Sequence, residues 1–162
     1  MPNLLSRQEC DGVIVRIENS GFRIARQYKE GRQNKEAFVN EKELAEKLLA
    51  RLNGTILFSE NEKLKVARFS YPLEFYKYEE GDFIKRHTDA PREDPAGVYS
   101  SLTLVLYLND DYKGGETYFP DLKFKTNPKC GDGVFFKQAL HHEALTVTKG
   151  KKYVLRTNCF LK

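Results

Sequence analysis

The stretch Tyr78-Glu-Glu-Gly-Asp-Phe-Ile-Lys-Arg-His-Thr-Asp89 decides the fold, and it ends in a His-x-Asp pair, His87 and Asp89. In a β-strand, side chains two residues apart point to the same face of the sheet. An imidazole and a carboxylate can therefore face one point, as two ligands of a 2-His-1-carboxylate metal site. A lone His-x-Asp pair arises often by chance, so the metal site needs support from elsewhere in the chain.

The bulk properties of the chain fit one globular domain. It has 162 residues, of which 40% are hydrophobic and 31% are charged, and a chain of this size can bury a core. Its net charge of +4 falls short of the strongly basic signature of nucleic-acid-binding proteins but suits anionic small ligands. We therefore expect a single domain over residues 1–162, and the composition disfavours a nucleic-acid partner.

Cysteine usage and hydropathy indicate the compartment. Cys10, Cys130 and Cys159 are odd in number and form no C-x-x-C pair, which favours a reducing environment. The N-terminus lacks a basic leader followed by an apolar run, and no apolar stretch approaches the ~20 residues of a membrane span. The sequence predicts a cytoplasmic protein without a membrane partner.

The N-terminal flank, about residues 1–60, is predicted to be helical. Ser6-Arg-Gln-Glu9 has the capping-box pattern and precedes apolar residues at helical spacing, which predicts a helix over 7–18. A second helix is predicted after Asn40, because asparagine is a favoured N-cap and an apolar stripe follows it.

Between these helices, basic residues fall at every third position of the stretch 23–35. This pattern fits a solvated strand and loop. It also fits a basic rim that attracts an anionic substrate.

From about residue 61 to 162 the pattern changes to short apolar or alternating runs separated by turn residues such as Gly114-Gly115. Many short strands of this kind favour a sandwich or a barrel. The polar, Pro-rich segment 90–98 directly follows the His-x-Asp pair and would make a natural lid. The predicted strands span residues 64–69, 73–78, 83–88, 101–108, 116–119, 133–136 and 152–160.

The third metal ligand must be a histidine, and besides His87 the chain has only the adjacent His141 and His142. Neighbouring residues in a strand face opposite sides, so only one of the two can point at the metal. Spacing from the His-x-Asp pair alone leaves both histidines open.

At this point the chain resembles the prolyl 4-hydroxylase-like family of Fe(II)- and 2-oxoglutarate-dependent dioxygenases, from about Leu5 to Phe160. The family's Tyr-x-x-Gly and His-x-Asp segments match Tyr78-Glu-Glu-Gly81 and His87-Thr-Asp89. Its Leu-Tyr-Leu-Asn and Gly-Gly-Glu-Thr segments match two later stretches, Leu106-Tyr-Leu-Asn109 and Gly114-Gly-Glu-Thr117.

The resemblance also selects the third ligand. In the family, the distal histidine precedes a glycine by eight positions and a Lys or Arg by ten. Counting from His142 gives Gly150 and Lys152, whereas counting from His141 finds no glycine in register. His142 is therefore assigned as the third ligand.

The resemblance implies a mainly β (α+β) enzyme with a double-stranded β-helix (jelly-roll) core and flanking N-terminal helices. It implies that His87, Asp89 and His142 bind Fe(II). It further implies that Lys152 binds the distal carboxylate of 2-oxoglutarate beside the hydroxyl of Tyr107. The site residues implied for the metal and the co-substrate are His87, Asp89, His142, Lys152, Tyr107 and Tyr78.

The implied reaction is hydroxylation of a C–H bond with release of succinate and CO₂, using O₂ as co-substrate and ascorbate as reductant. By resemblance the substrate is a prolyl residue in a peptide or protein. Two alternatives remain: the same chemistry on a free amino acid or other small metabolite, and a non-catalytic jelly-roll metal-binding or sensor module.

Two departures from the family bear on the substrate rather than on the metal. A tryptophan is usual near Asn158, and a proline is usual at Thr146. Arg156 shares the strand face of Lys152, so we expect it to point inward, near the co-substrate or paired with an acid.

Overall fold

The computed structural model of the protein describes residues 1–25, 31–52, 57–59 and 62–162. Within these ranges the chain forms the helices α1 (Arg7–Ser20) and α2 (Lys42–Arg51) and a short 3-10 helix at Pro120–Leu122. The strands are β1 (Arg23–Ile24), β2 (Arg32–Gln33), β3 (Lys35–Val39), β4 (Leu57–Ser59), β5 (Glu62–Leu64), β6 (Val66–Phe69), β7 (Leu73–Tyr78), β8 (Phe83–His87), β9 (Leu102–Tyr107), β10 (Lys113–Gly114), β11 (Thr117–Phe119), β12 (Phe124–Lys125), β13 (Gly133–Lys137), β14 (His142–Ala144), β15 (Val147–Lys149) and β16 (Lys152–Leu161).

Helix α1 begins with the predicted capping box. The Ser6 hydroxyl accepts a hydrogen bond from the Glu9 amide at 3.2 Å, and the Glu9 carboxylate accepts one from the Ser6 amide at 2.8 Å. Buried Val13 and Ile17 form its inner face. The helix ends two residues later than predicted, where Gly21 takes a positive φ of 82° that suits glycine.

Helix α2 corrects a detail of the sequence prediction. Its N-cap is Glu41 rather than Asn40, and no side chain caps it. The Glu41 carboxylate instead accepts a hydrogen bond from Arg16 of α1 at 2.8 Å. This contact joins the two helices, and buried Leu44 and Leu48 face the core as expected.

Two antiparallel sheets form the core. The larger runs β1-β3-β7-β16-β9-β13, with β6 also paired to β16, and the smaller runs β12-β11-β14-β8-β2. Strand β16 lies at the centre of the larger sheet, because it pairs with β7, β9 and β6. Side chains from both sheets line one cavity, described below.

Alternation along β16 divides the larger sheet into two faces. Leu155 and its neighbour Phe75 are fully buried in the cluster that contains Val13 of α1 and Leu48 of α2. Val154 belongs to a separate buried cluster on the other side. One face therefore packs against the helices, and the other is turned toward the cavity.

The expectation of a mainly β chain with N-terminal helices is confirmed. Between the two helices, where a strand and loop or a basic rim was predicted, β1 and β3 extend the larger sheet and β2 extends the smaller one. Arg26 and Lys29 of the basic stretch lie outside the described residues. No helix in the described ranges has the length and apolarity needed to cross a membrane.

Strand β16 should carry much of the stability. Leu155 is completely buried between β7 and β9, so Leu155→Ala removes buried methyl groups and leaves a cavity. We expect a loss of about 2–5 kcal/mol in the free energy of unfolding, measured by urea denaturation. Exposed Leu122 provides the control, because Leu122→Ala should change the free energy of unfolding by less than about 0.5 kcal/mol. Equal effects of the two substitutions would contradict this packing.

Candidate active site

Pairing of β8 with β14 brings two histidines together. His87 and His142 are Cα partners across these strands, and their ring centroids lie 4.3 Å apart. Asp89 follows β8, where its amide donates to the Gln138 carbonyl at 2.9 Å. One ligand atom from each of His87, Asp89 and His142 lies within 4.8 Å of the others. The structure thus brings together the three residues predicted as metal ligands.

Both imidazoles are oriented by backbone carbonyls. His87 Nδ1 lies 2.8 Å from the Lys85 carbonyl oxygen, and His142 Nδ1 lies 3.0 Å from that of Leu140. A carbonyl can only accept, so each Nδ1 carries the proton and each Nε2 offers its lone pair. The Nε2 atoms lie 3.9 and 3.8 Å from oxygens of Asp89. Burial also lowers the pKa of His142, which keeps it neutral and able to bind a metal.

The neighbouring histidine faces away from this cluster. His141 Nδ1 lies 2.9 Å from a carboxylate oxygen of Asp121, and the side chain is exposed. The same Asp121 also accepts a hydrogen bond from Arg86 at 2.9 Å. Of the two adjacent histidines, only His142 therefore points toward His87 and Asp89.

The Asp89 carboxylate is held through both of its oxygens. Arg156 Nη2 lies 3.0 Å from Oδ1, and the Thr103 hydroxyl donates to Oδ2 at 2.5 Å. Burial would raise the pKa of Asp89, but the charges of Arg156 and His142 and these hydrogen bonds hold it below its ordinary value. The carboxylate is therefore ionised and fixed in orientation. Thr103 was not singled out from the sequence, because its partner lies 14 residues away on a different segment.

Lys152 is a buried cation at the other end of the cavity. It is 1% exposed, and its Nζ donates to the Gly115 carbonyl at 2.6 Å. The ammonium lies 4.8 Å from the ring centre of Tyr78 and 5.3 Å from that of Tyr107. No carboxylate in the described part of the chain forms an ion pair with it, and burial lowers its pKa to about 7. Such a group fits a ligand that supplies the missing negative charge.

The two tyrosines predicted beside Lys152 occupy different positions. Tyr78 lines the cavity. Tyr107 is not among its lining residues, and its hydroxyl lies 2.6 Å from the Thr117 hydroxyl and 3.2 Å from that of Thr126. Thr117 does line the cavity. Tyr107 thus supports the wall through Thr117, and its direct contact with a co-substrate stays a prediction.

The cavity has a volume of about 540 Å³ and holds the three candidate ligands together with Lys152. Arg156 also lines it, so the expectation that this residue points inward and pairs with an acid is confirmed. Its second acid partner, Glu74, was missed. The signal was present, because Glu74 shares its strand face with Tyr78 in β7.

The predicted lid borders the same cavity. Ala90 and Pro91 line it, and Glu93 and Tyr99 form an isolated antiparallel bridge further along. The segment is braced internally, because Asp94 accepts hydrogen bonds from the amides of Ala96 and Val98. Movement of this segment as a lid stays a prediction.

A two-sheet β-core with two histidines and a carboxylate facing a cavity is the arrangement of non-haem Fe(II) oxygenases. Residues 73–160 match the family model of the 2OG-Fe(II) oxygenase superfamily. This match covers more than half of the chain, and the chain belongs to that family. Membership implies Fe(II) and 2-oxoglutarate, and the donor set fits both: two imidazoles and a carboxylate for the metal, and for a dicarboxylate a buried ammonium that has no ion-pair partner among the described residues.

Individual relatives agree with this assignment. The chain is 28% identical over 107 residues to a protein of Acanthamoeba polyphaga mimivirus named as a candidate prolyl 4-hydroxylase. That match covers 60% of this chain and 44% of the viral protein, so the chain spans less than half the length of this relative. The resemblance to prolyl hydroxylases seen in the sequence is therefore confirmed.

Solved structures support the fold. The viral collagen prolyl hydroxylase of Paramecium Bursaria Chlorella virus-1, in its 2OG complex, superimposes with a TM-score of 0.71 at 24% identity, covering 98% of this chain and 93% of that one. A prolyl hydroxylase from Trichoplax adhaerens, in complex with a hypoxia inducible factor oxygen degradation domain peptide fragment, gives 0.68 at 18% identity, covering 99% and 81%. The predicted jelly-roll core is confirmed.

The orientation of the two adjacent histidines predicts opposite effects of their removal. His142→Ala should weaken Mn²⁺ binding by more than about 100-fold, beyond what loss of an outer partner of a metal ligand usually costs. His141→Ala should leave the affinity nearly unchanged, because its ring faces Asp121. Titration calorimetry of the metal-free protein measures both. Loss of binding in His141→Ala alone would show that the other histidine is the ligand.

The pKa of Lys152 predicts how 2-oxoglutarate binding depends on pH. Below about pH 7 the free ammonium is charged, and the affinity should be constant. Above that value the free site loses its proton while the ligand still requires the cation. The affinity should then fall by up to about tenfold per pH unit. Calorimetry on Mn²⁺-loaded protein between pH 6 and 9 measures the affinity for 2-oxoglutarate.

Two substitutions test this prediction, one at Lys152 and a matched control at the neighbouring Lys151. Lys152→Met should bind 2-oxoglutarate weakly at every pH, because the buried cation is gone. Lys151→Met should behave as the unaltered protein, because Lys151 is exposed. A pH dependence that survives in Lys152→Met would assign it to another group.

Proposed function

We propose that this protein is an Fe(II)- and 2-oxoglutarate-dependent dioxygenase that hydroxylates a C–H bond, with a prolyl residue of a peptide or protein as its substrate. The observation that carries the proposal is the placement of Lys152 in the same cavity as His87, Asp89 and His142. A purely metal-binding module has no need for a buried ammonium in the same cavity as its metal site.

In this proposal His87, Asp89 and His142 hold Fe(II), and Lys152 pairs with the distal carboxylate of 2-oxoglutarate. When bound, Fe(II) and 2-oxoglutarate supply the oxidising chemistry: O₂ and 2-oxoglutarate are consumed, succinate and CO₂ are released, and one oxygen atom enters the substrate C–H bond while the other enters succinate. Ascorbate is the proposed reductant that maintains the iron as Fe(II).

The chain's own residues prepare the site for that chemistry. Thr103 and Arg156 fix both oxygens of Asp89, so the carboxylate needs no reorganisation when a metal binds. Tyr78 covers the Lys152 ammonium with its ring, which keeps the pairing with a carboxylate in a dry environment. The site is therefore preorganised before either ligand arrives.

The prolyl substrate is supported by the relatives. The mimivirus protein and both compared structures carry names of prolyl hydroxylases. The Trichoplax enzyme is in complex with a peptide, which shows that a fold of this kind can accept one.

A second candidate is the same reaction on a free amino acid or other small metabolite. It is favoured by the charged side chains that line the cavity near Asp89, which include Glu74, Arg92 and Arg156. Charged groups of this kind can bind the amino or carboxylate group of a small substrate.

The direct test is succinate release with Fe(II), 2-oxoglutarate and ascorbate against a panel of prolyl peptides and free amino acids. We expect turnover with at least one peptide, and its loss in His87→Ala and Asp89→Ala, because each removes a metal ligand. Circular dichroism checks that both variants remain folded, and His141→Ala is the control that should retain activity.

Three outcomes separate the alternatives. Full turnover in both ligand variants would end the assignment of the metal site. Turnover only with free amino acids would replace the peptide substrate by a small one. Binding of 2-oxoglutarate without turnover on any substrate would favour a sensor module.

A further inference from the structure

The face of the larger sheet that is turned toward the cavity has two ends. Three cross-strand pairs between β7 and β16 follow one another along it: Tyr78 with Lys152, Tyr76 with Val154, and Glu74 with Arg156. The proposed function assigns the first pair to 2-oxoglutarate. The third pair lies at the opposite end, beside Asp89. We use the name arginine end for the part of the cavity wall that runs from the middle pair to this end; its charged side chains are Arg23, Arg32, Glu36, Glu74, Arg92 and Arg156.

One carboxylate at the arginine end forms ion pairs with two guanidinium groups. Glu74 is buried, with 4% of its surface exposed, and accepts a hydrogen bond from the Tyr76 hydroxyl at 2.8 Å. It pairs with Arg156 at 3.3 Å and also with Arg92. Arg156 contacts Asp89 as well, whereas the Arg92 side chain is 41% exposed. Arg92 is thus anchored on its inner side and accessible on its outer side.

A second cluster repeats this arrangement. Buried Glu36 lies 3.4 Å from Arg23 and 3.5 Å from Arg32. The Arg23 guanidinium also lies over the ring of Phe38, 4.9 Å from its centre. The Arg23 side chain is 54% exposed, whereas that of Arg32 is nearly buried. Again one arginine is inside and one is presented at the cavity.

The charges of this end favour an anionic ligand. Four arginines line it, against Glu36, Glu74 and the nearby Glu143, and Asp89 is committed to the metal in the proposed function. A guanidinium has five N–H donors in a planar fork that matches a carboxylate. The glutamates engage only part of the donors of Arg23 and Arg92. Pairing with buried carboxylates also reduces the conformational freedom that these long side chains would lose on binding.

We propose that Arg23 and Arg92 form a carboxylate-binding subsite for the substrate, and that Glu36 and Glu74 position them. The carboxylate comes from an aspartate or glutamate beside the reacting residue of a peptide, or from the free α-carboxylate of a small acid. The proposal rests on the proposed function for the identity of the substrate as the molecule that enters here. Recognition itself requires no turnover and can be measured alone.

Binding is measured by fluorescence anisotropy on protein loaded with Mn²⁺ and 2-oxoglutarate. The probe is a labelled prolyl peptide with an amidated C-terminus and one glutamate beside the proline, so that this glutamate is its only carboxylate. A second labelled peptide carries glutamine in place of this glutamate. Proline and prolinamide are each added as unlabelled competitors of the labelled peptide, and the difference in their affinities tests the free α-carboxylate in the same way.

We expect about tenfold tighter binding of the glutamate peptide, or of proline over prolinamide, and a preference that decreases as salt is added. The pair that shows the preference identifies the source of the carboxylate. The double variant Arg23→Gln with Arg92→Gln should bind both members of that pair equally. Equal binding of both pairs by the unaltered protein, or an undiminished preference in the double variant, would overturn the subsite.

Two further variants keep the test decisive. Arg16→Gln is the matched control, because Arg16 is half-exposed and paired with Glu41 but lies outside the cavity. This variant should keep the carboxylate preference of the unaltered protein. Arg92→Glu alone reverses one charge and should favour a lysine peptide over the glutamate peptide. Failure of this reversal would also count against the subsite.

Succinate release with Fe(II) separates this proposal from the proposed function. A clear carboxylate preference in binding, with no succinate formed, would leave the subsite standing and reject the hydroxylase. Succinate formation with equal KM values for the glutamate and glutamine peptides, and also for proline and prolinamide, would support the hydroxylase and reject the subsite.

Discussion

The cavity depends on one costly feature, a lysine ammonium buried without an ion-pair partner in the described part of the chain. Burial disfavours the charged form of Lys152 and brings its pKa to about 7. The Gly115 carbonyl and the rings of Tyr78 and Tyr107 compensate only partly for the lost water. In the proposed function, a carboxylate that enters the cavity supplies the negative charge that the buried ammonium lacks.

The alternation of side chains along β16 determines which of its other residues face the same cavity. From Lys152, steps of two residues along β16 lead to Val154 and Arg156 on the same face. Arg156 fixes Asp89 and pairs with Glu74, so the second buried cation of this face belongs to the metal site. The two cations differ in their environment: Arg156 has two carboxylate partners, and Lys152 has no ion-pair partner among the described residues. This difference supports the proposed roles of the two residues, Arg156 in holding Asp89 and Lys152 in binding a carboxylate.

Much of this could be predicted from the sequence. The capping box of α1 is a local pattern, and the spacings from His142 to Gly150 and to Lys152 can be counted directly in the sequence. The inward direction of Arg156 follows from strand alternation. These features depend on neighbours within about ten residues, which a sequence displays directly.

Other features depend on contacts between distant segments. Thr103 meets Asp89, and Thr117 meets Tyr107, only after β9 and β11 are in place. The stretch 23–35 was predicted as a solvated strand and loop or as a basic rim, but its sequence did not show that β1 and β3 extend the larger sheet. The bounds and pairing of these short strands could not be predicted, because their charged residues do not show the apolar alternation that identifies a strand and its buried face.

The most direct test of this account is a crystal structure of the protein with Mn²⁺ and 2-oxoglutarate. The account predicts the metal bound by His87, Asp89 and His142, with the distal carboxylate of 2-oxoglutarate paired to Lys152. A metal bound elsewhere, or a carboxylate paired to Arg156 while Lys152 stays without an anion, would contradict it.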